Sequence, residues 1–169
     1  MNRPDQKSLE RLAAQVGELL LVNGQRLASA ESCTGGWVAQ CLTSIAGSSD
    51  WFERGFVTYS NEAKNEMLGV TVETLVSHGA VSEQTAAAMA VGALQRSHAD
   101  WSVAITGVAG PSGGTAEKPV GWVCFAWADR DQTLETETCH FKGGREAIRA
   151  QSVAHGLTGL LQRAATRVV

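Results

Sequence analysis

The chain alternates between two kinds of hydrophobic pattern. In the first, apolar residues recur three or four positions apart, which predicts helices over residues 8–22, 37–45, 61–68, 71–77, 83–96 and 145–163. In the second, the apolar residues form short runs, which predict strands over residues 26–31, 52–59, 101–106, 120–128 and 133–141. Helices interleaved with strands predict an α/β fold, and we expect a three-layer α/β/α sandwich with a mixed central sheet.

Polar residues and glycines mark the ends of several of these elements. Ser8 is the candidate N-cap of the first helix, and Gly24 follows its end. Ser60 or Asn61 can cap the third helix, and Ser82 can cap the fifth. A turn at residues 129–131 joins the last two strands, so residues 120–141 are predicted to form an antiparallel hairpin.

Composition excludes several classes of protein. Of the 169 residues, 44% are hydrophobic and 18% are charged, and no linker or repeat divides them, so we expect a single domain over residues 1–169. The 14 basic and 17 acidic residues give a net charge of −3, which disfavours a broad nucleic-acid surface. No apolar run approaches the roughly 20 residues of a membrane span. Charged residues near the N-terminus leave no hydrophobic segment for a signal peptide.

The cysteines are the next feature that bears on function. They contain no CxxC pair and no histidine at zinc-ligand spacing, so we expect reduced thiols in a cytoplasmic protein rather than a zinc site or a disulfide framework. The cysteines are Cys33, Cys41, Cys124 and Cys139.

The first candidate site is the turn AESCTGG at residues 30–36, where a strand is predicted to give way to a helix. Helix N-termini in such crevices favour anions, and Gly35 and Gly36 would let a ligand approach the main chain. Alternatively, Ser32 or Thr34 simply caps the helix. Cys33 is a competing nucleophile, but without an evident histidine partner we prefer to interpret it as a thiol packed behind the turn.

The second candidate site is YSNEAK at residues 59–64, at the next strand-to-helix transition. It contains Tyr59, the only tyrosine of the chain, and Lys64, which lies at the unfavourable positive end of a helix dipole. In a crevice, burial and the dipole would lower the pKa of Lys64 and allow it to act as a general base toward a serine. On an exposed face it would be an ordinary solvated lysine.

A glycine-rich loop over residues 107–121 and two arginines near the final helix start complete the candidates. The loop fits neither phosphate-loop nor dinucleotide spacing, yet its glycines could direct backbone donors toward a phosphate or an oxyanion. The loop could equally be mobile and bind no ligand. Arg145 and Arg149 share one helix face, where a bound anion would offset the unfavourable position of two cations. Otherwise they are surface residues beside Glu146.

Taken together, these segments resemble the CinA C-terminal domain family in sequence and in order. The resemblance runs from about residue 8 to residue 165 and rests on six segments: AESCTGG at 30–36, GFVTYSNEAK at 55–64, HGAVS at 78–82, TGVAGPSGG at 106–114, KPVG at 118–121 and FKGGREAIR at 141–149. It implies a nicotinamide-nucleotide amidase that converts nicotinamide mononucleotide to nicotinic acid mononucleotide and ammonia, in pyridine nucleotide salvage.

The resemblance also implies roles for individual residues. Ser32 would be the nucleophile and Lys64 its general base, with Tyr59 positioning or polarising the pair. The family is thought to act without a metal, so we expect no metal and no cofactor. The remaining positions would bind the substrate, with Arg149 the weakest candidate: Thr34, Gly35, Gly36, Thr106, Gly107, Gly110, Gly113, Arg145 and Arg149.

Three alternative functions remain open from the sequence. One is a nucleotide-binding module without catalysis, which would not need a lysine of lowered pKa beside a serine. Another is an accessory protein in competence or the response to DNA damage, and a third is an amidase for a different pyridine or sugar phosphate. The five tryptophans could anchor an interface, although core packing is the commoner role, and we expect a homodimer from the general frequency of such assemblies.

Overall fold

A computed structural model describes residues 3–131 and 133–166. The described helices are α1 Gln6–Val22, α2 Trp37–Thr43, α3 Asn61–Leu68, α4 Val72–His78, α5 Glu83–Gln95 and α6 Arg145–Ala165, with a 3-10 turn at Ser48–Asp50. The described strands are β1 Leu27–Glu31, β2 Phe52–Val57, β3 Trp101–Gly107, β4 Trp122–Asp129 and β5 Leu134–His140. Every predicted helix and strand is therefore present, with small shifts at the ends.

The strands form one mixed sheet in the order β2-β1-β3-β4-β5. Strand β1 runs parallel to β2 and β3, whereas β4 is antiparallel to both β3 and β5. The predicted hairpin of the last two strands is thus confirmed. Because β2 and β3 lie on opposite sides of β1, the chain reverses its direction of winding at β1, and a crevice is expected where the parallel strands end.

Helices cover both faces of the sheet, which confirms the three layers. One apolar cluster joins α1, α2 and α6 to Trp101, Val103 and Ile105 of β3. The other joins α3, α4 and α5 to the opposite face, which includes Ala104 of β3. This alternation along β3 follows from the two-residue period of side chains in a strand. The central strands are buried between helical layers, as parallel sheets require.

Helix ends follow the predicted polar residues, with one correction. Ser60 Oγ accepts a hydrogen bond from Ala63 N at 3.0 Å, and Ser82 Oγ accepts one from Thr85 N at 3.1 Å. Helix α1, however, begins at Gln6 and is capped by Asp5, whose carboxylate accepts from Ser8 N at 2.8 Å. The predicted cap Ser8 is therefore wrong, because a carboxylate both accepts this bond and interacts favourably with the helix dipole.

The buried tryptophans and cysteines belong mainly to the core. Trp51, Trp101 and Trp127 are at most 1% exposed, which favours core packing over an interface for these three. All four cysteines are free thiols, as expected. None of the helices in the described ranges is long and apolar enough to cross a membrane.

Gly92 of α5 provides a test of the packing between α5 and α3. A Cβ at position 92 would overlap the Leu68 carbonyl oxygen at the end of α3, so the two helices approach through the glycine. We expect Gly92→Ala to lower the free energy of unfolding by about 1–3 kcal/mol, as overpacking does, measured by urea unfolding. Gly144→Ala is the control, because its added methyl meets no atom within 4 Å. Equal stabilities of the two variants would contradict the close contact.

Candidate functional site

A cleft of about 310 Å³ opens where the parallel strands β1 and β3 end, at the crevice expected from the strand order. It brings together most of the residues that the sequence singled out, although they lie in four separate segments of the chain. The predicted residues that line it are Ser32, Tyr59, Lys64, Thr106, Gly107, Gly110, Gly113 and Arg145.

Lys64 is buried at the floor of this cleft beside Ser32. Its Nζ lies 3.0 Å from Ser32 Oγ and donates a hydrogen bond of 2.8 Å to the Thr58 carbonyl oxygen. The lysine is only 1% exposed, and this burial lowers its pKa below the usual 10.5, an effect that the nearby Cys33 thiol partly opposes. A lysine with a lowered pKa in contact with a serine hydroxyl has the arrangement of a general base and a nucleophile.

Local sequence explains how this contact forms. Thr58 continues the path of β2, and its N–H donates to the Glu31 carbonyl oxygen at 2.8 Å, which holds the end of β2 beside the end of β1. Ser60 then caps α3, and Lys64 falls on the same buried side of that helix as Leu68. Helix α3 thereby directs the Lys64 side chain toward Ser32, the residue that follows β1.

Glu31, to which the sequence analysis assigned no role, caps α2 and leaves Ser32 free. Its carboxylate accepts hydrogen bonds from Val38 N at 2.9 Å, Ala39 N at 3.1 Å and the Thr34 hydroxyl at 2.7 Å. The suggested caps Ser32 and Thr34 are thus replaced by Glu31. Burial raises the pKa of Glu31, and these hydrogen bonds oppose that rise. The sequence signal for this cap was an acidic residue a few positions before the start of α2, where a carboxylate interacts favourably with the helix dipole.

Arg149 supports the same turn from behind and does not line the cleft. Its guanidinium donates to the carbonyl oxygens of Cys33 at 3.0 Å and Thr34 at 2.9 Å, and it lies 5.3 Å from the Trp37 ring centroid. Thr34 is fully buried, and a Cβ at position 35 would meet the Arg149 guanidinium at 3.5 Å. The structure therefore places Thr34, Gly35, Gly36 and Arg149, four predicted substrate-binding residues, outside the cleft lining.

Cys33 is a poor candidate for the nucleophile. It is 6% exposed, and burial raises the pKa of its thiol to about 12. Since the thiolate is the reactive form, this environment suppresses its reactivity. The geometry thus favours the interpretation of a packed thiol that the sequence suggested.

The outer rim of the cleft is held by Arg145. Its guanidinium donates to the Gly110 carbonyl oxygen at 2.7 Å and to the Tyr59 hydroxyl at 3.1 Å, so it joins α6 to the glycine-rich loop and to the segment between β2 and α3. Tyr59 is 63% exposed, and its hydroxyl accepts from Arg145; the family resemblance implies that it positions the Ser32–Lys64 pair, but in the described part of the chain it forms no hydrogen bond with either residue. Thr106 lines the inner wall, where its hydroxyl donates to the Ala80 carbonyl oxygen at 2.7 Å.

The charges around the cleft favour an anionic ligand. Among the described residues that line it, Lys64 and Arg145 are the only basic side chains, and none is an Asp or a Glu. Asn61 and Ser112 also line the cleft and add uncommitted polar side chains that the sequence analysis did not assign to the substrate. A chain with a net charge of −3 thus presents a locally basic pocket.

Comparisons with known proteins find relatives that match almost the whole chain. The family model described as the CinA C-terminal domain matches residues 9–164. The nicotinamide-nucleotide amidohydrolase PncC of Escherichia coli (strain K12) is 54% identical over 156 residues, which are 92% of this chain and 94% of that protein. PncC of Enterobacter agglomerans is 49% identical over 157 residues, covering 93% and 96% respectively. The solved structure of competence/damage inducible protein CihA from Agrobacterium tumefaciens has a TM-score of 0.90 and 47% identity, covering 96% of this chain and 98% of that chain.

The contact between Lys64 and Ser32 predicts a selectively reactive serine. A fluorophosphonate reagent should modify Ser32 faster as the pH rises, because neutral Lys64 accumulates as the pH passes its pKa, which lies below 10.5. Lys64→Met should slow this modification by about a hundredfold or more, the usual contribution of a general base. Peptide mapping by mass spectrometry measures both the rate and the position.

Lys118→Met is the matched control, because this lysine also donates to a carbonyl oxygen, that of His78, but lies outside the cleft. It should be modified at the wild-type rate. Modification that does not depend on Lys64, or that occurs at Cys33, would contradict the role given to the pair.

Proposed function

The chain belongs to the CinA C-terminal domain family, and on this premise we propose that it is an amidohydrolase that converts nicotinamide mononucleotide to nicotinic acid mononucleotide and ammonia. Support comes from relatives at 49% and 54% identity that are named nicotinamide-nucleotide amidohydrolases and that align over almost their whole length. We take residues 1–169 as one such domain.

The observation that carries this proposal is the buried contact of 3.0 Å between Lys64 Nζ and Ser32 Oγ. A module that only binds nucleotides has no use for a desolvated lysine against a serine hydroxyl, because burying an amine without a carboxylate partner is unfavourable. Acyl transfer does need such a pair, since a serine hydroxyl is a weak nucleophile until a base removes its proton. Among the described residues, no carboxylate forms an ion pair with Lys64.

The reaction follows from this arrangement in two halves. Neutral Lys64 takes the proton of Ser32 Oγ as that oxygen attacks the carboxamide carbon, and it then gives the proton to the departing nitrogen, which leaves as ammonia. Water next attacks the acyl-enzyme while Lys64 takes one of its protons, and that proton returns to Ser32 Oγ as the carboxylic acid product leaves and loses its remaining proton to solvent. Thr58 acts in both halves, because its carbonyl oxygen holds Lys64 Nζ in reach of the reacting oxygen.

The oxyanion that forms in each half is assigned to the main chain beside Ser32. Most N–H groups of the following turn are already used, since Val38 and Ala39 donate to Glu31 and Gly35 donates to Ser32 O. In the described part of the chain, no main-chain carbonyl accepts from Cys33 N, and Cys33 lines the cleft. One such donor contributes about 3–4 kcal/mol in other enzymes. Arg149 assists indirectly, because it fixes the carbonyl groups of Cys33 and Thr34.

The phosphate of the substrate is assigned to the rim. Arg145 is the only arginine that lines the cleft among the described residues, and it lies in the first turn of α6, where the helix dipole also favours an anion. Binding energy at this remote group can orient the carboxamide over Ser32.

The mechanism uses no cofactor. We place the enzyme in the cytoplasm as a homodimer without nucleic-acid partners.

Removal of either member of the pair should abolish the activity. We expect Ser32→Ala and Lys64→Ala to lower the rate of ammonia release from nicotinamide mononucleotide by at least about a thousandfold, with the fold retained by circular dichroism. Cys33→Ala is the matched control, because it removes the thiol and keeps the main-chain N–H that we assign to the oxyanion, and it should keep near-normal turnover. Ammonia release from a panel of amides that includes nicotinamide, nicotinamide riboside and dinucleotides tests which of them is the substrate. Near-normal turnover of Ser32→Ala would refute the mechanism, and release from none of the amides would refute the function.

Arg145 should act on binding more than on chemistry. We expect Arg145→Ala to raise KM for nicotinamide mononucleotide by roughly 10- to 100-fold, the size of one or two lost charge-assisted hydrogen bonds, with a smaller change in kcat. Steady-state kinetics with the phosphate-free riboside gives the internal comparison, because that substrate should be almost insensitive to the substitution. An unchanged KM for the mononucleotide would place the phosphate elsewhere.

A further inference from the structure

A second cluster of reactive side chains lies away from the cleft, between the edge strand β5 and helix α6. Glu137 and Cys139 are two residues apart on β5 and therefore point to the same face of the sheet, toward His155 of α6. Thr138 between them points to the other face, where its hydroxyl donates to Glu83 of α5 at 2.6 Å. None of the three clustered residues lines the catalytic cleft.

The ligand-type atoms of these three side chains lie close enough together to share one metal ion, since one such atom from each residue lies within 4.8 Å of the other two. Cys139 Sγ is 3.4 Å from His155 Nε2, and His155 Nε2 is 3.2 Å from Glu137 Oε2; the other oxygen of that carboxylate, Oε1, lies 3.7 Å from Cys139 Sγ. Zinc bond lengths correspond to tetrahedral edges of about 3.5 Å between sulfur and nitrogen and about 3.3 Å between nitrogen and oxygen, which are close to the first two distances.

The Glu137 carboxylate connects the three side chains. The Cys139 thiol donates to its Oε1 at 3.7 Å, and His155 Nε2 lies 3.2 Å from its Oε2. A cation that displaces the thiol proton would contact the sulfur, the imidazole nitrogen and the carboxylate at once.

The imidazole is held in place by aromatic packing. Its ring centroid lies 4.6 Å from that of Phe125 and about 6 Å from those of Trp127 and Phe141. This packing fixes the direction of Nε2 toward β5 and limits the entropy that a bound ion would remove. The neighbouring acid Glu135 is already paired with Arg163 at 2.9 Å, so it does not compete for the site.

We propose that Glu137, Cys139 and His155 bind a zinc ion that joins β5 to α6. Thiolate and imidazole favour zinc over magnesium or calcium, and one thiolate with one carboxylate would balance the charge of the dication. Three protein ligands leave one coordination position for water. Solvent reaches the site, because the Glu137 side chain is 45% exposed and Cys139 borders an open hollow of about 660 Å³.

Cobalt(II) titration of the chelator-treated full chain tests the site. We expect one cobalt ion per chain, with the strong visible absorption of tetrahedral cobalt and a thiolate charge-transfer band, both removed by added zinc. Zinc should also raise Tm. Cys139→Ala should remove the charge-transfer band, and Cys139→Ala or Glu137→Gln should weaken binding by about tenfold or more. Because Glu137 is half exposed, its variant is expected to fold even if the cysteine variant does not.

Two matched controls keep the result specific. His140→Gln changes a histidine of the same strand whose ring contacts the Val120 carbonyl oxygen, and Cys124→Ala changes a buried thiol of β4; both should bind cobalt as the wild type does. Ammonia release from nicotinamide mononucleotide should survive chelation, because the cleft contains none of the three ligands. Absence of tetrahedral absorption, or equal binding by Glu137→Gln and the wild type, would overturn the proposal.

Discussion

The burial of one uncompensated amine, Lys64 Nζ, is the constraint on which the site depends. An ammonium ion held away from water without a carboxylate partner is strongly disfavoured, so the surroundings shift this group toward its neutral form. A carbonyl oxygen and a serine hydroxyl are the partners that it has. The role of base that we propose for Lys64 thus depends on its burial away from water and on its contact with Ser32.

The turn after β1 keeps the Ser32 hydroxyl available to Lys64. If Ser32 capped α2, its hydroxyl would be directed at the helix and not at Lys64. The carboxylate of Glu31 takes over the capping, and Arg149 holds the turn through two carbonyl oxygens, so the serine side chain remains available on the cleft side. Glu31 and Arg149 thus stabilise the turn, while Ser32 keeps its hydroxyl directed toward the cleft.

Sequence patterns predicted the layers, the mixed sheet and nearly every helix end, because these depend on local periodicity and caps. Ser32, Lys64 and Arg145 could be picked out since each lies at a strand-to-helix transition or a helix start. The role of Arg149 could not, because it depends on which carbonyl oxygens the folded turn presents. Glu31 offered a signal in its position before α2, but the three donors that it binds depend on the same turn. The contact of Tyr59 with Arg145 and the approach of Cys139 to His155 join residues distant in sequence, and no spacing rule reports them.

The serine–lysine mechanism that we propose requires a covalent intermediate at Ser32. Rapid-quench mass spectrometry of the enzyme mixed with nicotinamide mononucleotide should detect a transient adduct with the mass of the substrate less ammonia. Peptide mapping should locate it on Ser32, and it should decay as nicotinic acid mononucleotide appears. An adduct on Cys33, or single-turnover ammonia release with no adduct on the protein at any time, would contradict the serine–lysine mechanism.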